Sequence, residues 1–238
     1  MADTVLAPAK LTLSLRITGV RADGYHLIDA EMVTIDLFDT LVFTEGDGLA
    51  LVNASRDVPL GDSNLVQRAL RKAGRVSHVE LTKGIPSGAG LGGGSADAAA
   101  VLRWASLDDL EMAARLGADV PFCLRGGRAR VRGVGDQLDP LPFEARTFTL
   151  LTPPLQCSTA DVYRAWDDLD GPTVEGSNDL EPAALRVEPE LARWRDRLGD
   201  ATGQVPSLAG SGSTWFVEGA HEGDGFVVAH TVPASSTG

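Results

Sequence analysis

The run Pro86-Ser87-Gly88-Ala89-Gly90-Leu91-Gly92-Gly93-Gly94-Ser95-Ala96 constrains this chain more than any other stretch. Five glycines fall between Gly88 and Gly94, and from Ala96 the sequence turns Ala-rich and helix-forming through Leu102. Glycine adopts positive φ and lets backbone approach a ligand closely. A helix that starts at the edge of such a loop presents unpaired N–H groups and the positive end of its dipole. Together these make an anion cradle of the kind most often used for phosphate. A flexible linker is the competing reading. Against it, the run is wedged between an expected strand, Val79 to Leu81, and an immediate helix.

Two known phosphate loops are excluded. Gly88-x-Gly90-x-x-Gly93 formally matches the dinucleotide fingerprint, but a Gly-rich run satisfies many such patterns by chance. The acidic residue wanted about 20 positions on is missing, since Ala113 stands there on an expected helix. No G-x-x-x-x-G-K-[ST] occurs either. Phosphate must then be held by backbone amides and Ser95, with positive charge supplied from elsewhere or by Mg²⁺ bridging phosphates.

That shortage makes the charge balance informative. The net charge is −12 and there are three lysines, Lys10, Lys72 and Lys83. An acidic chain is a poor general binder of nucleic acid or anionic membrane, so an anionic substrate needs a local positive site. No apolar run approaches the ~18 residues of a membrane span, and no signal-peptide pattern is seen. Cys123 and Cys157 form no metal or CxxC spacing, which points to reduced thiols and a cytoplasmic setting. His78, His221 and His230 show no ligand spacing, so no fixed protein ligand set for a metal is expected.

Residues 10–17 alternate with period two, placing Leu11, Leu13, Leu15 and Ile17 on one face and Lys10, Thr12, Ser14 and Arg16 on the other. A half-buried antiparallel strand with a polar face follows. Arg21 to His26 reads as a turn-rich loop. Residues 30–44 read as strands broken around Asp36 to Asp39, and 49–52 as another strand. Asp62-Ser63 can cap a helix with Leu65, Ala69, Leu70 and Ala73 on one face. After the strand over 78–82 and the helix near 95–105, Ser106 can cap a helix over 107–116. Residues 119–124 and 127–132 read as a strand pair, and 148–151 as a further strand. Ser158 with Asp161 makes a capping box, and Pro189 suits the first turn of a later helix. The chain closes with a small-residue loop at 208–214, strands at 215–217 and 226–232, and a tail over 233–238. Strands in clusters with helices between them predict an α+β fold. Asp119 reads either as a turn residue or as a carboxylate held at a strand entrance by the rigid Val120-Pro121.

Assembled, these stretches resemble the GHMP small-molecule kinase superfamily. Its three signatures appear in order as Ala7-Pro8-Ala9-Lys10-Leu11-Thr12-Leu13, Ile85 through Ala99, and Gly210-Ser211-Gly212-Ser213-Thr214. Four further blocks, Arg21 to His26, Gly117 to Phe122, Ser158 to Tyr163 and Asn178 to Glu181, are similar to the branch that phosphorylates CDP-methylerythritol in non-mevalonate isoprenoid synthesis. Matches spread from residue 7 to about 217.

The resemblance implies a two-domain α+β architecture with the active site in the cleft between the domains. Residues 1–152 would form a domain like ribosomal protein S5 domain 2, and residues 153–238 a ferredoxin-like domain. It further implies transfer of a phosphoryl group from ATP, held by Pro86 to Ala96 with Mg²⁺ assisting, to the 2-hydroxyl of the methylerythritol unit. Asp119 would be the base and Lys10 the catalytic lysine, with the third motif, Gly210 to Ser213, also at the site. Tyr25 and Tyr163 would sandwich the cytosine, while His26 and Thr159 position the CDP end. Thr12 stands where the family usually has Asn, and Met32 where an aromatic is frequent. The chain is some tens of residues shorter than usual, before 78–82, between Trp104 and Leu110, and after Val217. Two alternatives stay open: a GHMP kinase for another small alcohol, and a catalytically silent nucleotide-binding homologue.

Overall fold

A long antiparallel hairpin forms the spine of the fold in the computed structural model, which describes residues 2–53 and 58–234. The part of the expected tail from 235 onward lies outside the described residues. Strand β1 spans Asp3–Val20 and β2 spans His26–Thr44, paired along most of their length with register shifts at Pro8/Lys10, Thr12/Ser14 and Ile17/Gly19. The bulges bend the hairpin and re-aim side chains beside the very positions singled out above. They also explain why β2 is not broken at Asp36 to Asp39. Pairing with β1 resumes on both sides of an irregularity, while the other edge of β2 changes partner.

Short elements complete the first sheet and its helical cover. Strand β3 is Gly48–Leu51. Helix α1, Leu65–Ala73, is capped by Asn64 rather than by Asp62 or Ser63; the Asn64 side-chain Oδ1 accepts from the Val66 N–H at 2.8 Å. Strand β4, His78–Thr82, runs into the glycine loop, and helix α2 spans Gly93–Trp104. Helix α3, Leu110–Leu116, begins at Asp109, not at Ser106, which takes φ 57° in the preceding turn.

Residues Val120–Arg125 form helix α4, where a strand was expected. Val120 through Leu124 are all buried, and a continuous apolar run carries no period that separates helix from strand. Pro121 sits in the first helical turn, where its missing N–H costs nothing. Strands β5, Arg128–Gly133, and β6, Gln137–Pro140, finish a sheet of order β3-β4-β2-β5-β6, with β1 also on β2.

The second sheet has the order β10-β7-β9-β8, from β7 Thr147–Leu151, β8 Ser207–Leu208, β9 Trp215–Glu218 and β10 Phe226–His230. Helices α5, Thr159–Asp167, α6, Glu181–Val187, and α7, Leu191–Thr202, accompany it. The fold is α+β. Strand β7 precedes residue 152 in the chain, yet it is bonded to β9 and β10 rather than to the first sheet. Both buried clusters also join the two sheets: Leu15, Met32 and Phe122 share one with Leu151 and Trp215.

Candidate active site

A cavity of about 1020 Å³ opens where β1, the glycine loop, the start of α4, helix α5 and the 208–214 loop converge. Its wall includes Lys10, Thr12, Tyr25, His26, Asp119, Thr159, Tyr163, Gly210 and Ser211, drawn from five separate stretches of sequence. From the glycine run it takes Pro86 to Gly90 and Gly92 to Ser95. Leu91 and Ala96 instead turn into the core. Gly212 and Ser213 lie behind the wall, where the Ser213 hydroxyl donates to the Leu155 carbonyl at 2.7 Å.

The polar face of β1 is only partly solvated: Arg16 keeps an exposed side chain, whereas Lys10 and Thr12 do not. Lys10 is 4% exposed and Thr12 is 2% exposed, so both belong to the floor of the cavity. The Lys10 Nζ donates to Thr12 Oγ1 at 3.0 Å and lies 3.5 Å from Asp119 Oδ2. Asp119 occupies the N-cap position of α4 but makes no capping bond, which leaves its partly exposed carboxylate directed to the lysine and the cavity.

The glycine loop is locked by contacts that only glycine permits. Gly90 has φ 75°, and a Cβ there would stand 2.0 Å from the Ala209 carbonyl oxygen of the 208–214 loop. Gly92 has φ 70° and ends the loop as the N-cap of α2; a Cβ would stand 2.8 Å from Lys10 Cγ. The loop is thus pressed against both the lysine and the third glycine motif. Asn178 braces that motif, donating to the Leu208 and Gly210 carbonyls at 2.9 and 2.7 Å. Asp179, fully buried beside it, accepts from Arg16 at 2.7 Å and from the Ile17 N–H at 3.0 Å.

Sequence reasoning assigned no role to the cluster beneath the loop. Lys83 Nζ donates to Asp39 and, at 2.8 Å, to Asp97 Oδ2, with all three side chains buried. Asp39 Oδ1 also accepts from the Gly84 and Ile85 N–H groups at 2.7 and 2.8 Å, fixing the approach to the loop. Burial pushes the Asp97 carboxyl up, with Lys83 opposing, to about 8. Its Oδ1 has no hydrogen-bond partner among the described residues. The signal available in sequence was Lys83 itself, one of three lysines and placed immediately before the loop.

At the other end of the cavity stand the rings. Tyr25 is 61% exposed, with the Arg21 guanidinium 5.5 Å from its ring centre. His26 packs on Tyr163, with centroids 4.7 Å apart, and Tyr163's hydroxyl is pushed up by burial and stays neutral. Thr159 Oγ1 and Ser211 Oγ are 2.9 Å apart, linking α5 to the third glycine motif. Met32 lies buried in the same wall.

Residues 64–127 match the family model for the GHMP kinases N terminal domain. A 4-diphosphocytidyl-2-C-methyl-D-erythritol kinase from Pelotomaculum thermopropionicum is 38% identical, over 91% of this chain and 88% of that protein. The chain belongs to the 4-diphosphocytidyl-2-C-methyl-D-erythritol kinase family. The enzyme of that name from Cereibacter sphaeroides strain ATCC 17029 is 39% identical over 88% of this chain and 87% of its own length. A crystal structure of a 4-(cytidine 5'-diphospho)-2C-methyl-D-erythritol kinase superposes with a TM-score of 0.73 at 37% identity, covering 90% of this chain and 89% of that one. A homoserine kinase from Cytophaga hutchinsonii, 19% identical with a TM-score of 0.60, shares the fold.

Proposed function

We propose that this chain phosphorylates the 2-hydroxyl of 4-diphosphocytidyl-2-C-methyl-D-erythritol with ATP, in non-mevalonate isoprenoid synthesis. Membership of the kinase family supports phosphoryl transfer from ATP. The observation that carries the assignment of roles is the Lys10–Asp119 pair at 3.5 Å, set between the glycine loop and the ring-lined pocket. An alcohol is a poor nucleophile at neutral pH. Asp119 accepts its proton as the oxygen attacks the γ-phosphorus, and the bond from that phosphorus to the bridging oxygen breaks to release ADP. Lys10 stabilises the developing alkoxide. The loop amides and the N-terminus of α2 take up the phosphate charge.

Mg²⁺ belongs to this reading as an ion that would accompany ATP and would supply neutralisation of the phosphate charge. Among the described residues no group of three or more His, Cys, Asp and Glu is placed to hold a metal, so no protein ligand set is assigned. Tyr25 and Tyr163 are assigned to stack the cytosine, with His26, Thr159 and Thr12 on the same substrate. Two domains meeting at the cavity remain part of the proposal, with the seam ahead of β7 because that strand pairs in the second sheet. So does a cytoplasmic setting; no helix among the described residues is long and apolar enough to cross a membrane.

Following ATP consumption with CDP-methylerythritol and with mevalonate-type alcohols tests the assignment. Turnover with the cytidine-bearing alcohol alone is expected. Turnover with the others instead would overturn the substrate, and bound nucleotide without turnover on any alcohol would mark a silent homologue.

A further inference from the structure

We propose that Asp39 is a positioning residue for the phosphate donor, acting through the Gly84 and Ile85 N–H groups to set where the glycine loop begins. The inference rests on the reading that this loop takes the phosphates of ATP, and it names the side chain that holds the base of the loop.

Strands β2 and β4 pair in register from Thr44↔His78 to Thr40↔Thr82, and there the ladder stops. The next residue on β2 is Asp39, and the next after β4 is Lys83. From that point a side chain takes over from the backbone. Asp39 Oδ1 accepts from the Gly84 and Ile85 N–H groups at 2.7 and 2.8 Å, and Oδ2 accepts from the Lys83 ammonium. In a continued antiparallel ladder only alternate residues would turn an N–H to the partner strand. Two adjacent N–H groups on one oxygen mark the chain leaving the sheet. Gly84 shows how close that exit is, because a Cβ there would stand 2.2 Å from the Phe38 carbonyl oxygen.

The same side chain also governs where the loop returns. Gly93 is the first residue of α2, and a Cβ on it would meet both Ile85 Cγ2 and Lys83 Nζ at 3.2 Å. One turn further on, Asp97 Oδ2 accepts from Lys83 at 2.8 Å. The loop thus leaves at Ile85 and comes back onto Ile85 and Lys83, the residues that Asp39 holds. A fully buried carboxyl is costly unless its oxygens are bonded, and here they satisfy backbone groups that the end of the ladder would orphan. Amides that stabilise transferring phosphate work only where they are already in place, so a shift at the base of the loop weakens the whole cradle.

The test measures KM for ATP, KM for CDP-methylerythritol and Tm in Asp39→Ala and Asp39→Asn. Alanine removes every contact, whereas asparagine keeps an oxygen for the two N–H groups and loses the charge beside Lys83. Asp39→Ala should raise KM for ATP about tenfold, the size of one net hydrogen bond, and move KM for the alcohol less than about twofold. Asp39→Asn should lower Tm yet recover most of the rise in KM for ATP. Asp39→Glu stands in if the alanine variant does not fold, since it keeps the charge but carries its oxygens a methylene away from the N–H groups. An unchanged KM for ATP in that variant, or an equal rise for both substrates, would overturn the proposal. So would an asparagine variant as impaired toward ATP as alanine, because the charge beside Lys83 would then be the cause. Gly90→Ala tests the underlying reading separately. If it leaves KM for ATP unmoved, the loop does not hold the donor; a rise there with none in Asp39→Ala removes Asp39 alone.

Discussion

Lys10 Nζ stands 3.5 Å from Asp119 Oδ2, although the two residues lie on different elements more than a hundred positions apart. The lysine is almost fully buried and the aspartate faces the cavity. Asp119→Asn keeps the shape of the side chain and removes its proton affinity. Turnover should fall about 10²–10⁴-fold, the range for a lost general base, while the substrate still binds. Near-normal single-turnover rates would exclude the role.

Tyr25 is exposed and touches no other ring among the described residues, so its removal costs the free protein little. If it stacks the base, Tyr25→Ala should raise KM for the cytidine-bearing alcohol by roughly 5- to 100-fold, the value of one base–aromatic stack. KM for ATP should hold. Equal loss on both substrates would place Tyr25 in another role.

Gly90 and Gly74 both take positive φ, but only Gly90 faces backbone at 2.0 Å, whereas a Cβ at Gly74 meets nothing within 4 Å. Gly74→Ala should cost about 1 kcal/mol, from backbone conformation alone. Gly90→Ala should cost about 3 kcal/mol, lower Tm by about 6–12 °C and raise KM for ATP, because the loop must leave the 208–214 segment. Matching Tm values for the two variants would show that the contact is not needed.

Asp97 provides a pH test. Burial raises its carboxyl in the folded protein to about 8 from 3.8, so between those values the native state holds more protons than the unfolded chain. Its contribution is fully present below about pH 4 and is lost as pH rises through about 8. Asp97→Asn should therefore flatten the fall in Tm between about pH 4 and 8, measured by calorimetry. Parallel Tm profiles for variant and wild type would disprove the linkage.

Much of the fold was legible where a local rule acts alone. The glycine loop and its helix, the Ser158 cap of α5 and the strand character of β1 all follow from neighbours within a few residues, although β1 is buried without a break over 7–12 and so does not alternate there as expected. The misreadings share a cause. Helix α4 is buried throughout, so no periodicity marked it as a helix. The α1 and α3 caps slipped because Asp, Ser and Asn are interchangeable as caps until the backbone is placed. The expected break in β2 vanished because β1 pairs past it.

By itself, then, the sequence determined the α+β class, the glycine loop with the helix that follows it, and the residue types available to the site, since these depend on conformational preference and local spacing. Only the tertiary structure decided which side chains meet. Lys83 with Asp39 and Asp97, Asn178 with the third glycine motif, and Asp167 with His26 are joined across 14 to 141 positions. Those separations carry no periodic signal. Hydrogen bonds and charge pairs of this kind are selected by the packing of whole elements, and only the folded chain brings their partners within reach.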